Sequence, residues 1–434
     1  MLYFYTMGGV LTMNIIDQLL EPIPIPQVVK VKQYFERPII TDIADQIRIK
    51  MEASGILKRV TQGQRIAITA GSRGIDNMPL VLQTVIQIIK EKGAYPFIVP
   101  AMGSHGGATA AGQKALLASR GITEETMGVP ILSDMEPVKL GESENGLPVY
   151  FDRNALEADW TILVNRVKPH THFHGPIESG LQKMMVIGLG KQLGADFCHD
   201  QGFDKMAEHI PEIAKIIFAK ANILCGVALL ENAHHETCEI DVVPANKIQE
   251  NEPGLLLKAK ALCPQLYLKS FDVLIVDEIG KNISGCGFDP NILGRLFPYK
   301  IEGLPEFKRM AILDITAESH GGANGLGLSD YTTERVFKKF SREQTYANSL
   351  TSTVTIACKM PMVLKNDKQA IQACIKCSNR TDKASVTLVR LKNTLCMDEI
   401  EVSVNLIPEV LKHPELEIVG EPYSWHFDDE GGLL

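Results

Sequence analysis

Short apolar runs that stop at glycine alternate with helix-patterned segments through the first half of this chain. That alternation restricts it to an α/β fold. Arg65-Ile-Ala-Ile-Thr-Ala70 reads as a strand and ends at Gly71-Ser72-Arg73-Gly74. A helix is expected next, with Asp76 or Asn77 as its cap, Pro79 in its first turn and Gly93 as its stop. Its apolar residues Leu80, Val81, Val85, Ile88 and Ile89 recur at helical spacing. Pro96-Phe-Ile-Val-Pro-Ala101 is the next strand and ends at Met102-Gly-Ser-His105-Gly-Gly107; a helix over Thr109 to Ser119 follows, with Gly121 as its stop. Trp160-Thr-Ile-Leu-Val-Asn165 ends at Arg166-Val-Lys-Pro-His170. In a parallel sheet, ligands bind beyond the carboxyl ends of the strands. Three such ends carry glycine, arginine, histidine or lysine, and parallel strands would bring them to one edge.

After the polar stretch Ile248-Gln-Glu-Asn-Glu-Pro-Gly254 the rhythm resumes with Val273–Asp277, Met310–Ile315 and Ala384–Val389. A chain of 434 residues exceeds one ordinary core. The expected architecture is therefore α/β, with two α/β domains, mainly parallel sheets and an interdomain active-site cleft. Residues 14–260 form the N-terminal cofactor-binding and catalytic domain, and residues 261–434 the C-terminal α/β domain that closes the cleft.

Charge and composition exclude several classes. A net charge of −8 does not suit a nucleic-acid surface, which needs a basic face. The apolar start, residues 1–13, lacks the basic region of a signal peptide and is too short to span a bilayer. Met7 and Met13 are alternative starts, and residues 1–13 are set aside from the fold. With no later run of 18 apolar residues, no membrane is expected. Nine cysteines without a compact framework argue against disulfides and for a reducing cytoplasm. The lone Cys374-x-x-Cys377 reads as part of a half-buried helix, since a structural zinc needs four ligands.

The chemistry concentrates in one stretch. Four of the 11 histidines, His170, His172, His174 and His199, fall within 30 positions around Lys183, in a Gly-rich and Met-rich apolar segment. A cluster of this kind can hold a metal, move protons or carry a covalent group. His170, His172 and His174 alternate, so an extended segment would set them on one face, either as a metal site or as one catalytic histidine with two neighbours. A buried lysine gains nucleophilicity. His105, between glycines at a strand end, suits acid/base work. Ser72 and Arg73, ahead of a capped helix, suit a phosphate or carboxylate. No Walker lysine or GxGxxG is present at that turn. In the second half, the loops Glu278-Ile-Gly-Lys281 and Glu318-Ser-His320-Gly-Gly-Ala-Asn324 are candidates to close over a ligand.

Taken together, these residues resemble the nickel-pincer-dependent lactate racemase family, over most of residues 60–200 and more loosely beyond. The most specific part is Ser179-Gly180-x-x-Lys183 with His199 16 positions on (199 − 183 = 16). The resemblance implies an isomerase: a racemase or epimerase of a 2-hydroxy acid, acting by reversible hydride transfer. It implies a nickel-pincer nucleotide (pyridinium-3-thioamide-5-thiocarboxylate mononucleotide nickel) covalent on Lys183, with His199 as nickel ligand. Arg73, Ser72, Ser179, Gly180 and Lys281 are the other expected cofactor-binding residues. His105 and a histidine before the lysine form the acid/base pair. His170, which closes a strand just after Pro169, is placed first for the second role, His174 next and His172 last. The implied partners are a small anionic hydroxy acid and the enzymes that make the cofactor.

The chain departs from the family at several points. Ala70 stands where the family's Arg turn has Asp, and Leu181 where it has Gly. Phe173 stands ten residues before the lysine (183 − 10 = 173), where the lactate enzymes have histidine. The family's Tyr-Gln-x-x-Lys element has no clean counterpart near residues 280–295. Two alternatives follow: a zinc-dependent hydrolase using His170, His172 and His174, or a non-catalytic nickel- or nucleotide-binding relative.

Overall fold

A computed structural model describes residues 14–295 and 302–434. The start set aside above, residues 1–13, lies outside the described residues. The fold is α/β, in two units. One is Glu36–Pro264; the other combines Gln265–Leu434 with the residues up to Phe35.

The Glu36–Pro264 unit is built on a five-stranded sheet in the order Tyr95–Pro100, Arg65–Ala70, Trp160–Arg166, Ile223–Glu231, Thr237–Pro244. The first four strands run parallel, and the last returns antiparallel on Ile223–Glu231. Its parallel strands read as nearly continuous apolar runs because both faces are covered: all nine residues of Ile223–Glu231 are buried. The helix Met78–Glu91 buries Val81, Leu82, Val85, Ile88 and Ile89 in the core on one face. Its cap is Asn77, in a left-handed conformation without a capping side-chain bond, while the Asp76 carboxylate accepts from the Thr237 N–H instead. The chain passes from Arg65–Ala70 outward to Tyr95–Pro100. It then crosses back to Trp160–Arg166 on the opposite side of the first strand. Successive connections diverge at that point and leave a crevice at the strands' carboxyl ends.

The second unit holds an eight-stranded mixed sheet. Val273–Ile279 lies between Arg309–Ile315 and Leu388–Leu391, parallel to both. The strand Val28–Gln33 joins this sheet, antiparallel to Glu399–Ser403 and to Leu416–Tyr423. The division thus differs from the contiguous 14–260 and 261–434 domains expected. Val28, Val29, Val31 and Gln33 are buried on this sheet, and burying those side chains outweighs proximity along the chain. Cys374 and Cys377 lie in and just after the half-buried helix Asp367–Lys376, and all nine cysteines are free. No helix of the described residues is long and apolar enough to cross a membrane.

Candidate active site

The crevice of the five-stranded sheet gathers most of the residues singled out in the sequence. Ser72 and Arg73 follow the Arg65–Ala70 strand, His105 follows Tyr95–Pro100, and Lys168 and His170 follow Trp160–Arg166. Ser72 Oγ and His105 Nδ1 lie 2.5 Å apart, which ties the first two strand ends together. Ala70 is buried, and its carbonyl accepts from the Ala101 N–H, so this position presents no side-chain acceptor.

Lys183 closes a short helical turn, Leu181–Lys183, that runs directly into a π-helical turn, Met184–Gly188. Such wide turns recur at functional sites. The segment is packed on the sheet ends. Thr69 Oγ1 donates to Met184 Sδ at 2.9 Å and accepts from the Val164 N–H at 2.8 Å. A Cβ on Gly188 would lie 2.7 Å from the Ala101 carbonyl oxygen, so only glycine admits this approach. Desolvation, with the positive charges of Arg73 and Lys168, lowers the Lys183 pKa to about 7. Its ammonium sits 5.7 Å from the centre of the Phe173 ring. Desolvation and the neighbouring Arg166 and Arg120 also lower the pKa of Arg73. Arg166 is held in turn by an ion pair with Glu231.

His199 lies on the helix Lys191–Asp200, its ring 5.4 Å from that of Phe203. Burial and the charge of Lys183 lower its pKa to about 4, so it is neutral at physiological pH. Its Nδ1 is buried and has no hydrogen-bond partner among the described residues. His170 packs beside Phe173 and Phe203, with ring centres 4.4 and 5.8 Å away. Burial, then the charges of Lys183, His172, Lys168 and His199, hold its pKa well below the usual value.

The three alternating histidines do not share one face. Lys168 and Ser179 exchange backbone hydrogen bonds at 3.0 and 3.2 Å, which folds the segment between them into a bent loop instead of an extended strand. The His170 and His172 rings are 5.9 Å apart, while His174 turns to Glu178. Among the described residues, no group of three or more His, Cys, Asp or Glu side chains is arranged to hold a metal ion. Among the described residues, the three imidazoles of the zinc-hydrolase alternative are thus not gathered into one such group.

Ser179 contributes its backbone to the loop closure. Gly180 is required by contact: a Cβ there would meet the Glu252 carboxylate at 1.9 Å. Lys281 belongs to the other unit. Its N–H donates to Ser319 Oγ at 2.9 Å, and it lines a small pocket with Gly287, Asn324 and Gln344.

Two acidic residues not singled out from the sequence organise this site. Glu252 accepts from the backbone and the side-chain amide of Gln182, at 3.1 and 3.0 Å. Glu178, its side chain fully buried, receives Lys260 and His174. A lone glutamate gives no sign in sequence that it will be buried. Only the position of Glu178 between the histidines and Lys183 pointed toward it.

An α/β unit with a lysine of depressed pKa, an arginine and several histidines at its sheet's switch point is a site for handling small anions and protons. Residues 25–203 match the family described as lactate racemase N-terminal domain. No curated protein matches the chain significantly. Among solved structures, the lactate racemase apoprotein from Thermoanaerobacterium thermosaccharolyticum is similar at 14% identity. That match covers 79% of this chain and 89% of that one, with a TM-score of 0.48. A protein from Thermotoga maritima is similar at 12% identity, covering 64% and 72%, with a TM-score of 0.47.

Proposed function

We propose that this protein is a racemase or epimerase of 2-hydroxy acids that works with a nickel-pincer nucleotide attached to Lys183. The observation that carries the reading is the pairing of Lys183 with His199. One offers an amine with a pKa of about 7 and the other a buried, orphaned ring nitrogen. Both fit the cofactor. A near-neutral amine suits covalent attachment, and a neutral imidazole is a good nickel ligand.

When bound, the cofactor supplies a reversible acceptor for the hydride on the substrate's C2, which avoids a carbanion of very high basicity. The chain's own residues do the rest. Arg73 binds the carboxylate of the hydroxy acid. His105, held by Ser72, takes the hydroxyl proton and returns it on one side. A histidine of the 170–174 loop does so on the other. Phe173, Phe203 and Met184 keep water from the reacting carbon. The enzymes that build the cofactor are the expected partners, and nine free cysteines suit a reducing cytoplasm.

The test is co-expression with cofactor-making enzymes, followed by intact-mass measurement and a chiral assay on a panel of 2-hydroxy acids. The expected result is a cofactor mass on wild type, none on Lys183→Ala, and racemisation of at least one acid. A Lys183→Ala protein that still carried the full adduct would overturn the assignment.

A further inference from the structure

The loop between Lys168 and Ser179 closes on a single carboxylate. Glu178 Oε1 lies 3.2 Å from His174 Nδ1, 2.6 Å from Lys260 Nζ and 3.4 Å from the Gly175 backbone nitrogen. Its Oε2 accepts from the His170 backbone N–H at 2.6 Å. Burial by itself would raise the pKa of this carboxyl. The bonds from His174, Lys260 and the His170 backbone more than offset that and hold it below the ordinary range. The group is therefore an anion at neutral pH. An anionic carboxylate only accepts hydrogen bonds, so His174 donates to it from Nδ1, and in the neutral ring the lone pair is then on Nε2.

His170 is in the opposite state. Its Nδ1 accepts from the His172 backbone N–H at 3.1 Å, so Nδ1 carries no proton. The ring is neutral, and its proton is on Nε2. A ring in that state can donate a hydrogen bond from Nε2 but cannot take a proton there.

We propose that Glu178 is a positioning residue that makes His174 the second acid/base histidine, while His170 acts only as an Nε2–H donor to the substrate. This rests on the racemase reading above and deepens it. The hydroxyl proton goes to the Nε2 lone pair of His174, giving an imidazolium stabilised by the Glu178 anion, and returns from the same nitrogen to the substrate oxygen. No other proton carrier is needed on that side. Lys260, from the helix Ile248–Leu262, keeps Glu178 ionised and in place.

The primary test needs no cofactor. Long-range ¹⁵N–¹H correlation spectra of the histidine rings in the unloaded protein, assigned with His170→Gln and His174→Gln, should show His174 protonated on Nδ1 and His170 on Nε2. The reverse tautomer at His174 would overturn the proposal. In the loaded enzyme, Glu178→Gln should retain the Lys183 adduct and keep KM within about twofold. Its kcat should fall by about 10²-fold, inside the ~10²–10⁴ range for a lost acid/base step, with partial recovery in Glu178→Asp. Unchanged kcat in folded, loaded Glu178→Gln would equally overturn it. If wild type carries no adduct and racemises nothing, the racemase reading fails, whereas the tautomers of the unloaded protein still decide the role of Glu178 in the loop.

Discussion

The buried carboxylate of Glu252 accepts the backbone N–H of Gln182 at 3.1 Å, one residue before Lys183. An acidic side chain from the helix Ile248–Leu262 thus anchors the start of the turn that presents the candidate nucleophile. Desolvation raises its pKa to about 7, against the opposing hydrogen bonds from Gln182 and Leu181. A carboxyl whose folded pKa lies above its unfolded value contributes stability that is full below about 4.5 and is lost as pH rises through about 7. Glu252→Gln keeps an acceptor for the Gln182 N–H and removes the titration. Denaturant midpoints at pH 5 and pH 8 should therefore differ less in this variant than in wild type. An unchanged difference would show that Glu252 does not titrate in this window.

Gly180 has an extended backbone that any residue adopts, so its requirement is contact alone. Gly180→Ala sets a methyl group against Glu252 Oε1 and must move either the carboxylate or the Lys183 turn. Overpacking of this kind costs about 1–3 kcal/mol. The expected outcome is a lower urea midpoint together with reduced cofactor loading. The double variant Gly180→Ala/Glu252→Ala should recover part of the midpoint.

Lys183 should be the most reactive lysine of the unloaded protein near neutrality. Its pKa of about 7 leaves about half of the amine unprotonated there, whereas an ordinary lysine is almost wholly charged. Limited labelling with an amine-reactive probe, read by peptide mass mapping, should favour the Lys183 peptide at pH 7. The rate should rise through pH 7 and level off above about 8. Uniform labelling across the surface lysines would argue against a depressed pKa.

Three strands of the Glu36–Pro264 unit, Arg65–Ala70, Tyr95–Pro100 and Trp160–Arg166, were legible in the sequence because each is a short, mostly apolar run. The Arg65–Ala70 strand matches residue for residue. The neighbourhood of Lys183 and His199 was legible because both lie on one Gly-rich segment whose spacing is local. Two things were not. Val28–Gln33 pairs with strands hundreds of positions away, and its alternating valines and lysines reveal a strand but not its sheet. The period of two in the histidine loop puts the three rings on one face only if the segment is extended, and it does not show whether the segment bends. What bends it is the Lys168–Ser179 exchange and the burial of Glu178, and neither leaves a local pattern.

The fully buried pair Lys191–Asp152 provides the last test. Lys191 Nζ lies 2.8 Å from Asp152 Oδ2 and donates to the Pro100 carbonyl at 2.6 Å. It joins the end of the Tyr95–Pro100 strand to the helix that carries His199. Lys191 adopts φ 55°, a left-handed conformation that a side chain seldom takes, and its two buried bonds hold it there. Burial already raises the Asp152 pKa against the opposing pull of Lys191. Lys191→Met removes that pull and leaves a carboxylate buried without its partner, which costs about 3–5 kcal/mol at neutral pH. Because the carboxyl can escape this cost by taking a proton, the folded pKa of Asp152 rises further above its unfolded value. The variant's deficit should therefore shrink as pH falls and grow as pH rises. Thermal melts of wild type and Lys191→Met at pH 5 and pH 8 measure this directly. A deficit that stayed constant across that range would mean that Asp152 is not left charged and unpaired in the variant.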